Sequence, residues 1–406
     1  MIEFNNKKLE KKVEKTSKEV VNLLNSKLKK AKCLLGGSVA KGTYLYDDID
    51  FDLFIMFEEE IDTNYLKNTL KKIFPNYAIK TLHGTRDYFQ IEYKGFTLEF
   101  VPTLYHENPN NCENSIDISV FHIEWFLEKK KKIENLSNEV RKTKLFFKSN
   151  YLYGAESHIG GFSGHVIDSL IVYYKSFNNL IESAKNWSEK VVIDVEKHYS
   201  NSKEIFNNLS SGKLYSPLIL VDPVLKSRNA AAALSKNKFD EFIYLANEYF
   251  KSPSLNFFKK TEPKIDKSNT LVFDVKWKDG NKDVSGSKVK KIFDVIKYDL
   301  KEKNYEIKFD FWNYENSFWI LLNDYQDDYV RRGPPLNLKT NVKKFKSKHD
   351  ESSFFKEDGR IFANIKRKKN PFEIVLNRSD FIRERVKELN IKYFINNNLK
   401  YEKTIK

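Results

Sequence analysis

Residues 36–57 read GGSVAKGTYLYDDIDFDLFIMF, and the fold turns on the last eight, DFDLFIMF. Apart from Asp50 and Asp52 the run is apolar, which predicts a strand over 50–57 with both faces covered. Side chains alternate along a strand, so Asp50 and Asp52 point to the same side. Two carboxylates that close repel each other and hold on to protons unless a cation lies between them. A hard, oxygen-seeking divalent ion, Mg2+ above all, relieves that cost. A DxD triplet alone is a weak signal in a chain with 56 acidic residues. Its place at the head of an apolar strand, where an unpartnered charge is expensive to bury, makes it a candidate site.

Working outward, Cys33-Leu34-Leu35 predicts another short strand, ended by the turn Gly36-Gly37-Ser38. Such a turn offers backbone N–H groups and a hydroxyl to an anion; Lys41 and Thr43 add a charge and a second hydroxyl. Residues 89–93 and 96–101 predict a hairpin about Lys94-Gly95. Glu99 lies mid-strand there, with Leu98 and Phe100 facing away from it. Beside the DxD strand it is the candidate third carboxylate of a two-metal site; elsewhere it would read as a sheet-edge charge.

Apolar spacing predicts helices over 7–31 and 62–73. From about Ser137 to Phe258 the pattern is helical, over 138–149, 163–178, 180–198 and 236–251, interrupted by the glycine-rich stretch 150–164. After Pro253 and Pro263 a third unit begins, with strand 271–277, helix 287–303 and strands 305–312 and 318–323. Val289, Ile292, Phe293, Ile296 and Leu300 face inward, and the βαββ order suits an α+β sandwich. Region 326–370 is more polar and reads as an insertion or separate appendage. The last 36 residues contain a helix around 379–389 and then become too polar to assign.

The 406 residues suggest two to four domains at about 150 residues each. Hydrophobic residues make up 40% of the chain and aromatics 15%, enough for several cores, so wholesale disorder is excluded. Two cysteines, Cys33 and Cys112, exclude a disulfide scaffold and suit a reducing cytoplasm. No apolar run approaches the ~18 residues of a membrane span, and the polar, charged N-terminus is no secretory signal. Net charge is +15, but Asn, Lys and Ile abound as in an AT-rich genome, so charge alone leaves nucleic-acid binding open. The Lys129–Lys132 run reads as a solvated helix end. The histidines (His83, His106, His122, His158, His165, His198, His349) and the cysteines show no CxxC or HxxxH spacing, so no zinc site is expected.

The GS turn, the strand-borne DxD and the third acid resemble the polymerase-beta-like nucleotidyltransferases. More narrowly, the chain resembles the archaeal-type (class I) CCA-adding tRNA nucleotidyltransferases. GSVAKGTYL at 37–45, EFVPTLY at 99–105, LYGAE at 152–156 and GGFSGHVIDSLIVYYKSF at 160–177 carry the likeness. VDPVLKSRNAAAALS at 221–235, SPSLNFF at 252–258, RRGPP at 331–335 and NVKKF at 341–345 extend it. The resemblance implies an α+β multidomain protein: a nucleotidyltransferase head of mixed sheet and helices (1–136) and a helical neck with the base pocket (137–258). A ferredoxin-like α+β body (259–325 and 371–406) and a small tail (326–370) follow.

It also implies that Asp50, Asp52 and Glu99 hold two Mg2+ ions, with CTP and ATP as substrates. Gly37, Ser38, Lys41, His122, Lys144 and Tyr153 would contact the triphosphate or sugar. Arg228 would read the base, since a guanidinium can meet acceptors on both cytosine and adenine. Arg331, Arg332, Lys343 and Lys344 would touch tRNA, whose acceptor stem and T-arm are the implied partner, and a homodimer is implied as well. The departures are an Asp–Asp–Glu acid set where Glu–Asp–Asp is common, Leu225 in place of Asp and His165 in place of Tyr. A single-nucleotide poly(A)-forming transferase and a non-catalytic RNA-binding protein are the competing expectations.

Overall fold

The computed structural model describes residues 4–83, 86–262, 267–278, 280–326, 328–349 and 353–406. Pro263, read above as opening the third unit, and Met1–Glu3 of the N-terminal segment lie outside the described residues. The chain forms two compact units, Met1–Thr261 and Glu262–Lys406. Among the described residues no helix is long and apolar enough to cross a membrane.

The first unit opens with α1 (Lys7–Lys27), β1 (Ala31–Leu35), the single-turn α2 (Gly37–Lys41), β2 (Asp50–Phe57) and α3 (Thr63–Ile73). Strands β3 (Lys80–Leu82), β4 (Tyr88–Tyr93) and β5 (Phe96–Leu104) complete a sheet of order β1-β2-β5-β4-β3, in which only β2 and β5 run parallel. Phe51, Leu53, Ile55, Leu98 and Phe100 fill its core with Val20 and Leu24 of α1 and Leu66 and Leu70 of α3. One face of β2 is therefore buried in this core; the expectation of two covered faces holds on the other only at Phe54, because Asp50 and Asp52 there line a cavity and Met56 is half-buried. Lys94 and Gly95 both adopt positive φ, the conformation that a two-residue hairpin loop demands.

A mainly helical region follows: α4 (Ser115–Lys132), α5 (Leu136–Ser149), α6 (Gly164–Tyr174), α7 (Phe177–Ala184), β6 (Val191–Asp194), α8 (Ser202–Asn208), α9 (Ser211–Leu214), β7 (Leu218–Val221) and α10 (Lys236–Lys251). Phe146, Phe147, Phe162, Ile167, Leu170, Phe177, Phe239 and Phe242 make its core. The helix expected over 180–198 stops at Ala184, and residues 191–194 are strand. The β-branched run Val191-Val192-Ile193 pairs in parallel with the fully buried β7, a partner 27 residues away that local periodicity does not register. The helix expected over 163–178 is likewise two, with Lys175 in the left-handed conformation between them.

In the second unit, β8 (Thr270–Lys276), α11 (Lys282–Glu302), β9 (Ile307–Trp312) and β10 (Ser317–Leu322) take the expected βαββ order. Then come β11 (Asp328–Pro335), α12 (Lys339–Lys348), β12 (Ser353–Glu357), β13 (Arg360–Lys366), α13 (Pro371–Leu376), α14 (Ser379–Arg383), β14 (Glu388–Ile395) and β15 (Asn398–Ile405). The order β14-β8-β10-β9 is the antiparallel ferredoxin-like arrangement, widened by β15 at one edge and packed on α11. The helix expected over 379–389 ends at Arg383, and the unassigned tail supplies two strands. β14 alternates buried Leu389, Ile391 and Tyr393 with polar residues. β15 is exposed except for Ile405, so it carries no apolar pattern to read. A separate sheet of order β11-β13-β12 occupies residues 328–366.

Candidate active site

Because β2 and β5 are parallel and in register, Asp52 stands opposite Glu99 and Asp50 opposite Thr97. Residues two apart on one strand share a face, so the three acids meet on one side of the sheet. They line a cavity of about 270 Å³ together with Gly37, Ser38, Lys41, Lys144 and Tyr153. Tyr44, Leu45, Asp48, Lys148, Gly164 and His165 complete its wall. Gln90 Nε2 donates to Glu99 Oε1 at 2.9 Å and orients that carboxylate.

Gly37 explains why the turn before α2 reads GGS. Its φ is +57°, and a Cβ there would lie 1.5 Å from Asp52 Oδ2. The Asp52 carboxylate occupies the space that any other residue would need. The glycine-rich stretch has a similar cause: a Cβ on Gly161 would sit 2.2 Å from the Leu152 carbonyl oxygen. That close approach places Tyr153 at the cavity.

Charge is crowded here. Burial, then Glu99 and Asp50, push the Asp52 carboxyl up to about 6 against the pull of Lys41. Burial also lowers Lys144 to about 8, with the charge of Asp168 opposing the shift. Lys41 Nζ donates to Asp168 Oδ2 at 2.5 Å, and Lys148 pairs with Asp48. Three carboxylates of which one is driven toward protonation by burial and then by its neighbours form an oxygen-donor set that a hard divalent cation would relieve, so these residues fit such an ion.

Residues 17–147 match the nucleotidyltransferase domain family, 138–259 the second domain of tRNA nucleotidyltransferases, and 270–400 the C-terminal domain of CCA-adding enzymes. The CCA-adding enzyme of Nanoarchaeum equitans is 36% identical over 84% of this chain and 85% of its own length. That of Archaeoglobus fulgidus is 30% identical over 82% and 77%, and that of Methanocaldococcus jannaschii 28% over the same shares. The chain belongs to the CCA-adding enzyme family. The acid-lined cavity lies within the part that matches the nucleotidyltransferase domain and the family's second domain.

His122 and Arg228 do not line that cavity. They meet one step away, on the fully buried Asp222. His122 Nε2 lies 3.0 and 3.1 Å from its two oxygens, Arg228 Nη1 donates to Oδ2, and the Val224 and Leu225 amides donate to Oδ1 at 3.0 and 3.2 Å. His165 Nε2 stands 3.4 Å from Oδ2. Burial alone would raise the Asp222 carboxyl, yet the hydrogen bond from His122, with His165 close by, holds it well below the carboxylate range. Burial, with His165 alongside, lowers His122 to about 3, so its imidazole is neutral.

The spacing that argued against zinc could not foresee this gathering of His122, His165 and Asp222, whose ligand atoms lie within 4.8 Å of one another. The arrangement is nevertheless ill-suited to a metal. The two imidazoles are stacked, with centroids 3.6 Å apart and planes 22° apart, so their in-plane lone pairs run side by side rather than converging. Asp222 is already committed to Arg228 and two amides.

The tail residues sit in the second unit. Arg331 and Arg332 lie on β11, with Arg332 exposed; Lys343 and Lys344 are exposed on α12. The Lys129–Lys132 run ends α4 with Lys130, Lys131 and Lys132 exposed, as expected of a solvated helix end, while Lys129 pairs with Glu196 and Lys130 Nζ donates to the Lys41 carbonyl at 3.1 Å. Asp48, Lys148 and Asp168 carried no signal of their own in the sequence, because ordinary acids and lysines at unremarkable spacings become site residues only when α5 and α6 are laid against α2.

Proposed function

We propose that this chain is a template-independent tRNA nucleotidyltransferase that builds and repairs the 3′-terminal CCA, adding CMP, CMP and then AMP with release of pyrophosphate. The observation that carries the reading is the register pairing of Asp52 with Glu99, beside Asp50, in a member of the CCA-adding family. CCA-adding enzymes act on tRNA with nucleoside triphosphates. The nucleotides here are CTP and ATP, and the tRNA is held by its acceptor stem and T-arm.

Asp50, Asp52 and Glu99 would hold the divalent ions, two Mg2+ in this reading. When bound, such ions supply charge neutralisation for the triphosphate and lower the pKa of the attacking 3′-hydroxyl. The rest is placement by the chain itself. Gly37 and Ser38 border the triphosphate, Lys41 and Lys144 balance its charge, and Tyr153, held protonated by burial, offers a hydroxyl to the sugar. His122 receives its orientation from Asp222. Asp222 also fixes Arg228, whose fork of donors meets the acceptor edge of cytosine or the N1 of adenine. Arg331, Arg332, Lys343 and Lys344 contact tRNA phosphates. Free thiols at Cys33 and Cys112 are in keeping with work in a reducing cytoplasm.

The test is an end-sequenced product. Purified protein, tRNA lacking CCA and magnesium are incubated with CTP, then with CTP and ATP. Addition of two C residues in the first reaction, and of one terminal A in the second, is expected; an open-ended A tail, or no addition, overturns the reading.

A further inference from the structure

Asp168 lies on α6, is 1% exposed and falls within the stretch 160–177, where the resemblance gives it no role of its own. Lys41 Nζ donates to its Oδ2 at 2.5 Å, while its buried Oδ1 has no hydrogen-bond partner among the described residues. The Lys41 ammonium also lies 5.7 Å from the Phe126 ring centroid, so it is enclosed by an aromatic face, one carboxylate and the cavity. Among the described residues Lys144, 6% exposed, makes only long bonds to Thr43, 3.3 Å to the carbonyl and 3.4 Å to Oγ1. Burial pulls its proton affinity down, and Asp168 is the foremost influence that sustains it. From the other side, Lys130 Nζ and Ser137 Oγ donate to the Lys41 carbonyl at 3.1 and 3.0 Å and fix the end of α2.

The Lys41 ammonium is thus paired with one buried carboxylate at the edge of the cavity, and the Lys144 ammonium, seated on Thr43, lines the same cavity and feels that charge. Buried without a counter-charge, an ammonium either releases its proton or swings into solvent. We propose that Asp168 is the positioning residue for the incoming nucleotide: its carboxylate holds Lys41 beside Lys144 in a fixed cationic wall against which the triphosphate docks. Asp168 does not itself touch phosphate, since like charges repel, and it acts through Lys41. The inference rests on the cavity being the nucleotide site.

The test combines steady-state kinetics on truncated tRNA with direct binding of CTP, using the full chain. In Asp168→Asn the KM for CTP and ATP and the dissociation constant for CTP rise about tenfold, with kcat within about threefold and the KM for tRNA unmoved. Asp168→Glu, which restores the charge, recovers most of the loss. In a Lys41→Met background, Asp168→Asn costs less than it does alone, as groups acting together require. Should Asp168→Asn fail to fold, Lys41→Met/Asp168→Leu replaces the ion pair by apolar groups and carries the same raised KM. Unchanged nucleotide KM in either variant, or a loss confined to kcat, overturns the inference. Asp52→Asn runs in parallel: if it still transfers nucleotide, the reading of the cavity falls. If it is inactive while Asp168→Asn matches the parent, only the role of Asp168 falls.

Discussion

Replacing Gly37 by alanine perturbs the site through a single methyl group. At φ +57° an alanine pays about 1–2 kcal/mol for the left-handed conformation. Its Cβ would start 1.5 Å from Asp52 Oδ2 and 2.5 Å from Cγ, so it must retreat, or the carboxylate must, by about 1.5 Å to reach tolerable contact. The backbone of Asp52 does not yield easily, so its carboxylate must turn aside. Asp52 is held in β2 between β1 and β5, and the Gly36 amide donates to the Asp52 carbonyl at 2.7 Å. Overpacking of this kind costs about 1–3 kcal/mol, giving a total near 2–5 kcal/mol. The displaced group is a candidate metal ligand, and a displacement of about 1 Å at reacting groups lowers rates ~100-fold. The assay pairs denaturant unfolding with CMP incorporation into truncated tRNA. Gly212→Ala serves as control, because its Cβ would meet nothing within 4 Å. A Gly37→Ala protein with parental stability and turnover would refute the placement of the Asp52 carboxylate.

Titration supplies a second expectation. With Asp52 raised to about 6, CMP transfer falls as pH drops through 6 at limiting magnesium, and excess magnesium shifts that limb to lower pH, as a competing cation must. Without divalent ions the sign for stability is opposite: a raised carboxyl stabilises the fold fully below 3.8, and that contribution, at most about 3 kcal/mol, is lost as pH rises through about 6. Melting curves in chelator should show this slope in the parent and not in Asp52→Asn. Asp222→Asn removes the counter-charge of Arg228 and replaces one of two acceptor oxygens by an NH2 that faces other donors, so it loses about 3 kcal/mol of stability and misincorporates UTP and GTP; unchanged nucleotide selectivity by product sequencing would separate Arg228 from base choice. Neutralising Arg332, Lys343 and Lys344 together should weaken tRNA binding and flatten its salt dependence, with CTP affinity unaltered; an unchanged slope in a salt titration would remove them from the interface.

The sequence alone was informative wherever the relevant pattern is local. DFDLFIMF is a strand because it is apolar apart from its two acids, and the hairpin about Lys94-Gly95 follows from a loop that accepts positive φ. The βαββ start of the second unit follows from helix spacing between alternating runs. Pairing at long range was not legible. Residues 191–194 and 388–405 become strands through partners far along the chain, and β15 has too few buried side chains to leave a pattern.

The same division holds at the site. Alternation places Asp50 and Asp52 on one side of their strand, and residue chemistry says what such a pair wants. That Glu99 stands opposite Asp52 depends on a parallel register between β2 and β5 that no local signal encodes. The Lys41–Asp168 pair and the His122–His165–Asp222–Arg228 cluster join residues up to 127 positions apart. Charges and imidazoles carry no directional preference along the chain, so only the packing of α2, α4 and α6 and of the loop after β7 brings them within hydrogen-bonding distance.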